Sequence, residues 1–244
     1  MNSVAERLKS VRAALDAACI KAGRAPEEVK ILLATKTVEP EVIKQAFIYP
    51  VNYTGENKVQ ELSRKCPVLK DDPVQFHFIG HLQTNKVKEA LKHAACIQSV
   101  DRLSLVEALD RQLQKEGRSV DVLMQVNTSY ESSKFGVTPE NSLTLAKEIS
   151  KYGTLKLKGL MTIGLFSAEA EQVRKCFSLL RVLKDRIAAL GLPGVLMEEL
   201  SMGMSGDFET AIGEGATIVR IGTAIFGQRM YPDSYYWNEQ KQAP

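Results

Sequence analysis

Val29-Lys30-Ile31-Leu32-Leu33-Ala34-Thr35-Lys36 is the stretch that decides the fold: an apolar run of strand length that ends on a lysine, with Thr37-Val38-Glu39-Pro40 opening a helix directly behind it. A strand that runs into a helix within a few residues is half of a parallel βα unit, and the same alternation recurs along the chain. Apolar runs predict strands at 29–35, 51–56, 75–80, 96–100, 121–127, 157–163, 199–204 and 218–226. Amphipathic stretches predict helices at 39–49, 57–65, 84–94, 102–116, 139–151, 168–190 and 207–215, with a further helix at 3–22 ahead of the first strand. Pro40 and Pro139 fall in first helical turns, where a missing N–H is harmless, and Gly117, Gly153 and Gly191 fall where helices should stop. Eight strands with intervening helices predict an α/β fold, a single (β/α)8 TIM barrel with an extra N-terminal helix, as one domain over residues 1–244. An open doubly wound sheet is the alternative architecture, but the first βα turn carries no GxGxxG, which removes support for its dinucleotide-binding version.

The 244 residues are 44% hydrophobic, enough for a substantial core. A formal net charge of +3 argues against a nucleic-acid module driven by a broad basic field. Cys19, Cys66, Cys96 and Cys176 stand far apart, form no CxxC pair and share no metal-ligand spacing with His77, His81 or His93. They read as reduced thiols of a cytoplasmic protein. The N-terminal stretch, Met1 to Lys21, is amphipathic and charged throughout, and no apolar run approaches membrane-spanning length, so neither a signal peptide nor a membrane partner is expected.

A barrel of this kind places its chemistry in the loops after the strands. Here those loops hold Lys36, then Gly55-Glu56-Asn57, Gly80-His81, Asp101, Asn127-Thr128-Ser129, Thr162-Ile163-Gly164, Ser201 to Asp207, and Arg220-Ile221-Gly222-Thr223. Burial of a lysine lowers its pKa and frees the lone pair for Schiff-base formation with an aldehyde; the competing reading is a lysine whose stem packs while its head reaches water. Ser205-Gly206 and Gly222-Thr223 supply close backbone approach, hydroxyl donors and a following helix whose dipole favours an anion by about 0.3–1 kcal/mol. Arg220 suits either the phosphate or the ligand ring. An amine facing a phosphate seat points to a ligand with both an aldehyde and a phosphate, as in pyridoxal 5′-phosphate. Asp101 and Asp207 read as helix N-caps, His77 as structural beside Phe76 and Phe78, and the charges of 169–186 as a solvated face. His81 reads as an acid, base or stacking partner, or as a histidine satisfied by a backbone carbonyl. Glu56 reads as support for Lys36 or Arg220, or as the start of a helix, and Met202 and Met204 as filler beside a planar ligand.

Ala34-Thr35-Lys36-Thr37-Val38, Gly55-Glu56-Asn57-Lys58-Val59-Gln60-Glu61, His77 to Lys86, Gly159 to Gly164, Leu200 to Phe208 and Val219 to Gly227 together resemble the pyridoxal phosphate homeostasis proteins over nearly the whole chain. The resemblance implies a barrel related to the N-terminal domain of alanine racemase, with pyridoxal 5′-phosphate held as a Schiff base on Lys36. It implies phosphate contacts from Ser205, Gly206, Gly222 and Thr223, with Arg220 close by. With the strand-end neighbours Asn57, His81 and Met202 these make the candidate cofactor-binding set; no metal site and no catalytic residue are expected. Thr54 stands where the family usually has an aromatic residue and Lys58 where it usually has tyrosine, changes confined to the rim.

The expected function is intracellular vitamin B6 homeostasis, with pyridoxal 5′-phosphate as ligand, cofactor-dependent apo-enzymes as candidate recipients, and a monomeric state. The alternative is an amino-acid racemase, which needs an acid/base on each face of the cofactor plane. Alanine racemases draw one of these from an added C-terminal β-domain, and only 18 residues follow Phe226 here. Tyr231, Tyr235 and Tyr236 are the residues that would have to substitute. A Schiff-base aldolase acting on a phosphorylated sugar is a third reading, and it predicts no cofactor absorbance.

Overall fold

The computed structural model describes residues 3–47, 51, 53–165, 167 and 169–227. In chain order its elements are α1 (Val4–Lys21), β1 (Lys30–Ala34), α2 (Pro40–Lys44), β2 (Tyr53–Glu56), α3 (Val59–Lys65), β3 (Gln75–Phe78), α4 (Val87–Leu91), β4 (Cys96–Val100), α5 (Leu103–Glu116) and β5 (Val120–Gln125). They continue with α6 (Ser142–Ile149), β6 (Leu155–Met161), α7 (Ala170–Ala188), β7 (Val195–Ser201), α8 (Phe208–Gly213), β8 (Ile218–Ile221) and α9 (Thr223–Phe226). The eight strands pair in sequence order, all parallel, and β8 pairs with β1 to close the barrel. Among the described residues no helix is long and apolar enough to cross a membrane, and all four cysteines are free.

Strand periodicity sorts every side chain to one of two layers. Leu33, Phe76, Phe78, Ile97 and Val219 join the main core between sheet and helices. The alternate positions Leu32, Ile79 and Ile218 form a separate cluster with Ala34 and Tyr53 packed on it, while Cys96, Leu123 and Met161 form another with Ile163. These two small clusters fill the barrel interior. α1 is anchored by a capping box in which Ser3 accepts from the Glu6 amide while the Glu6 carboxylate accepts from the Ser3 amide. Its buried stripe of Val4, Leu8, Val11, Leu15 and Cys19 packs on α8 and α9, and so braces the loops that follow β7 and β8.

Several boundaries differ from the sequence reading. The eighth strand, expected to run to 226, stops at Ile221 because Gly222 (φ −123°, ψ −76°) leaves the extended region and Thr223 begins α9. The seventh strand begins at Val195 rather than 199. Met197 takes a left-handed φ of 51°, so that β7 absorbs extra residues where the register with β6 shifts between Leu157 and Gly159. The helices expected at 84–94 and 139–151 each begin as a 3₁₀ turn, Thr84–Lys86 and Pro139–Asn141. Gly117 caps α5 at φ 63° as expected, whereas α6 ends at Ile149 with Ser150 as its C-cap, before Gly153. The second helix closes at Lys44, and residues 48–50, 52 and the tail with Tyr231, Tyr235 and Tyr236 lie outside the described residues.

The barrel interior also carries a polar chain. Arg220 Nη1 donates to Ser201 Oγ at 2.9 Å, Ser201 Oγ donates to Gln98 Oε1 at 2.7 Å, and Gln98 Nε2 lies 2.8 Å from His77 Nδ1. A guanidinium can only donate, so each following group has its direction set, and His77 must accept on Nδ1 as a neutral imidazole. Burial pushes the His77 pKa down from 6.5 to about 4, with Lys30 acting in the same sense and Glu199 against. The structural reading of His77 agrees with its place here, under the ring of Tyr53 at 4.5 Å.

This group binds its proton near pH 4 when folded and near 6.5 when unfolded, so its stabilising contribution is complete above about pH 6.5 and is lost as pH falls toward 4, by up to about 3 kcal/mol. The urea-unfolding free energy of His77→Gln should therefore fall less steeply than that of the parent between these pH values; parallel curves would contradict the assignment.

Candidate functional site

The expected site residues gather at one end of the barrel, where the strands finish. Lys36 stands two residues past Ala34 on the parity that faces the interior, and it is buried. The next residue, Thr37, holds φ at 65°, a left-handed conformation that costs a β-branched residue about 1–3 kcal/mol. Asn57, just past β2, is buried. A Cβ at Gly80 would lie 2.0 Å from the Asn57 carbonyl oxygen, so only glycine lets the chain after β3 run against the chain after β2. That close approach brings Asn57 and His81 to the same sector of the rim.

The opposite sector is built from the loops after β7 and β8. Ser205 Oγ accepts from the Ala224 amide at 3.2 Å and from the Gly222 amide at 3.4 Å, which ties the two loops together. Gly206 and Thr223 are exposed beside it, and a Cβ at Gly206 would meet no atom within 4 Å, so open space lies over that loop. Met202 is fully buried in the main core and supports the loop from behind. Asp207 occupies the N-cap position of α8, but its carboxylate turns back to accept from the Met204 amide at 2.5 Å instead of capping the helix. Burial pushes its carboxyl up, opposed by that amide and by Arg220.

Arg220 is buried with Nη1 on Ser201 and Nη2 on the Thr162 carbonyl at 2.7 Å. Burial pulls its pKa down to about 10, with Asp207 opposing, so it stays cationic at neutral pH. Its guanidinium is thereby fixed within the barrel between β6 and β7.

The third sector is a lid-like loop between β5 and α6. Asn127 Nδ2 donates to the Glu131 and Lys134 carbonyls, Gln125 Nε2 donates to the Phe135 carbonyl at 3.0 Å, and Lys134 Nζ donates to the Gly164 carbonyl at 2.7 Å. Phe135 thereby stacks on His81 with centroids 3.8 Å apart and planes 17° from parallel. One face of the His81 ring is therefore covered by the chain's own Phe135. Asp101 does not cap α5; that position belongs to Arg102, whose Nη1 lies 2.7 Å from the Asp101 carboxylate. His81 Nδ1 is 3.7 Å from Asp101, beyond hydrogen-bond length and within ion-pair reach. Burial would raise the Asp101 carboxyl, but His81 and Arg102 outweigh it and hold it below its ordinary range.

Glu56 does not turn to Arg220. It lies on the outer face of the sheet, where its Oε1 accepts from Lys65 Nζ at 2.8 Å and Thr35 Oγ1 at 2.6 Å. Lys65, fully buried, went unnoticed in the sequence because its helix reads as an ordinary amphipathic one. Phe135 was missed because it lies in a loop with no periodicity, although an aromatic residue between Lys134 and Gly136 was the available signal. Among the described residues no cluster of three or more His, Cys, Asp or Glu side chains suits a metal ion.

Residues 24–230 match the family described as alanine racemase, N-terminal domain. The chain is 44% identical over 226 residues to a pyridoxal phosphate homeostasis protein of Aquifex aeolicus, covering 93% of this chain and 98% of that one. It is 40% identical to a protein of the same name from Pseudomonas aeruginosa, covering 95% and 98%. PipY of Synechococcus elongatus, solved with pyridoxal 5′-phosphate (PLP) bound, superposes with a TM-score of 0.80 at 32% identity over 92% of this chain and all of that one. An alanine racemase of Clostridium difficile shares the fold, with a TM-score of 0.71 at 16% identity, and this chain spans only 57% of its length.

Removing the Ser201 hydroxyl leaves Arg220 Nη1 and Gln98 Oε1 each short of a buried partner, which should cost about 1–3 kcal/mol. Ser201→Ala is expected to show that loss as a lower urea midpoint with an unchanged m-value.

Proposed function

The chain belongs to the pyridoxal phosphate homeostasis protein family, and we propose that it binds PLP at the open end of its barrel as a reversible cofactor store within the cytoplasm. The observation that carries this reading is the placement of Lys36 and the joined Ser205-Gly206 and Gly222-Thr223 loops around one mouth. The donor set fits the group: a primary amine for an aldehyde, hydroxyls and glycine amides beside open space for a phosphate, and a buried cation within the barrel. Bound there, PLP supplies an aldehyde that forms a Schiff base with a primary amine, with loss of water, together with an anionic phosphate.

In this reading Lys36 presents the amine from the end of β1. Ser205, Gly206, Gly222 and Thr223 bind the phosphate, with Met202 packing behind them. Arg220, held by Ser201 and Thr162, offers fixed positive charge to the ligand from below. Asn57 and His81 orient it on the opposite rim, with Phe135 excluding water above His81. On this reading the cofactor is stored and released to apo-enzymes. The chain then acts as one domain and as a monomer.

Purified protein incubated with PLP should develop a visible absorption band that Lys36→Ala abolishes, and inorganic phosphate should compete for binding. Thr223→Val is expected to weaken affinity about tenfold by removing a donor to the anion. Appreciable loss of chirality in single amino-acid enantiomers, measured with the loaded protein, would overturn the storage reading in favour of a racemase.

A further inference from the structure

Lys65 is fully buried, and its three protons have three acceptors: the Thr35 carbonyl at 2.7 Å, Glu56 Oε1 at 2.8 Å and Glu61 Oε2 at 2.8 Å. Thr35 is the residue before Lys36, and the extended chain sends the two side chains to opposite faces of the sheet. Every polar group of Thr35 is engaged. Its amide donates to the Gly55 carbonyl at 3.1 Å, its hydroxyl to Glu56 at 2.6 Å, and its carbonyl receives both Lys65 and the Val38 amide at 2.9 Å. The turn so held contains Thr37 at φ 65°, an exposed residue with a backbone conformation its own side chain resists.

Such an arrangement is poorly explained as a source of stability. A buried ion pair commonly does no better than well-packed apolar residues of its size, and Glu56 Oε2 has no hydrogen-bond partner among the described residues. What the pair does supply is a fixed direction for the peptide that carries Lys36. We infer that Lys65, together with Glu56, is a positioning residue for Lys36: it grips the Thr35 carbonyl from behind the barrel wall and keeps the amine aimed into the mouth against the strain at Thr37. This rests on the proposal that Lys36 takes the cofactor aldehyde. Lys65 itself is not a second acceptor, since its ammonium lies on the helix side of the sheet with all three protons committed.

The test uses the full chain with the paired substitution Glu56→Gln and Lys65→Met, which removes both charges of the buried pair together, while Glu61 keeps Arg64 at 3.4 Å and the Thr35 carbonyl keeps the Val38 amide. Capture of the PLP aldehyde is followed by stopped-flow absorbance and by borohydride trapping at Lys36. Pyridoxine 5′-phosphate, an alcohol in place of the aldehyde, serves as the probe of the phosphate seat alone. The double variant should capture the aldehyde at least about tenfold more slowly, with affinity for the alcohol within about twofold of the parent. Adding Thr37→Gly, which makes the left-handed turn free of side-chain strain, should recover part of the lost rate. Should the double variant fold poorly, Thr35→Val, which deletes only the hydroxyl's bonds to Glu56 and, at 3.4 Å, to the Gly55 carbonyl, should slow capture about threefold with affinity for the alcohol unchanged. Parental capture rates in these variants, or an equal loss of affinity for the alcohol, would overturn the positioning role alone. Absence of capture at Lys36 in the parent would overturn the cofactor reading and this role with it.

Discussion

Closure of the sheet through the β1–β8 pairing is the constraint on which the rest of the molecule depends, because a closed parallel sheet has an inside and an outside at every residue. With a side-chain period of two, a slip of one position would send Lys36 among the helices and Thr35 into the mouth. The interior clusters around Leu32 and Cys96 and the outer core around Leu33 and Ile97 make such a slip costly, since each displaced aliphatic side chain forfeits about 1.5–3 kcal/mol of burial. The site is therefore registered by hydrophobic packing many residues away from it.

The strand order and the polar mouth were legible in the chain because βα alternation and strand-end polarity are local patterns. Lys36, Asn57, His81, Ser205 and Arg220 each sit at or just past a strand end that apolar runs delimit. Boundaries were less legible where backbone geometry overrode side-chain character. Ile221 to Phe226 is apolar but for Thr223 and reads as the end of one strand, yet the conformation at Gly222 splits it into strand and helix. The β7 start was lost because Glu198 and Glu199 interrupt the apolar run while Met197 turns left-handed. Partners that meet only in three dimensions left no local mark at all: Glu56 with Lys65 spans nine residues, but Ser201 with Gln98 spans 103 and Arg220 with Thr162 spans 58.

The partners chosen by three strand-end carboxylates share one cause. Asp101, Asp207 and Glu56 stand at positions where a sequence favours a cap or a helix start, yet each turns to another local donor: Arg102, the Met204 amide and Lys65 respectively. A capping bond to an exposed helix end contributes about 1 kcal/mol, whereas an ionised group near the interior must find a charged or amide partner to offset its desolvation. Burial therefore decides between competing partners that spacing alone leaves equal.

Arg220 and the peptide that carries Lys36 are held in opposite ways, and the sheet separates the two supports. Arg220 is gripped from within, by a chain whose donor directions run one way from guanidinium to imidazole through Ser201 and Gln98. The peptide before Lys36 is gripped from without, by an ammonium sealed between sheet and α3. Neither support reaches the mouth itself, so neither competes with a ligand for the groups it orients. Binding then has little side-chain freedom left to remove at Arg220, where an ordering cost of about 0.5–1.5 kcal/mol is met when the protein folds. The wall of the mouth is thus braced from both sides of the sheet by groups that lie away from its opening.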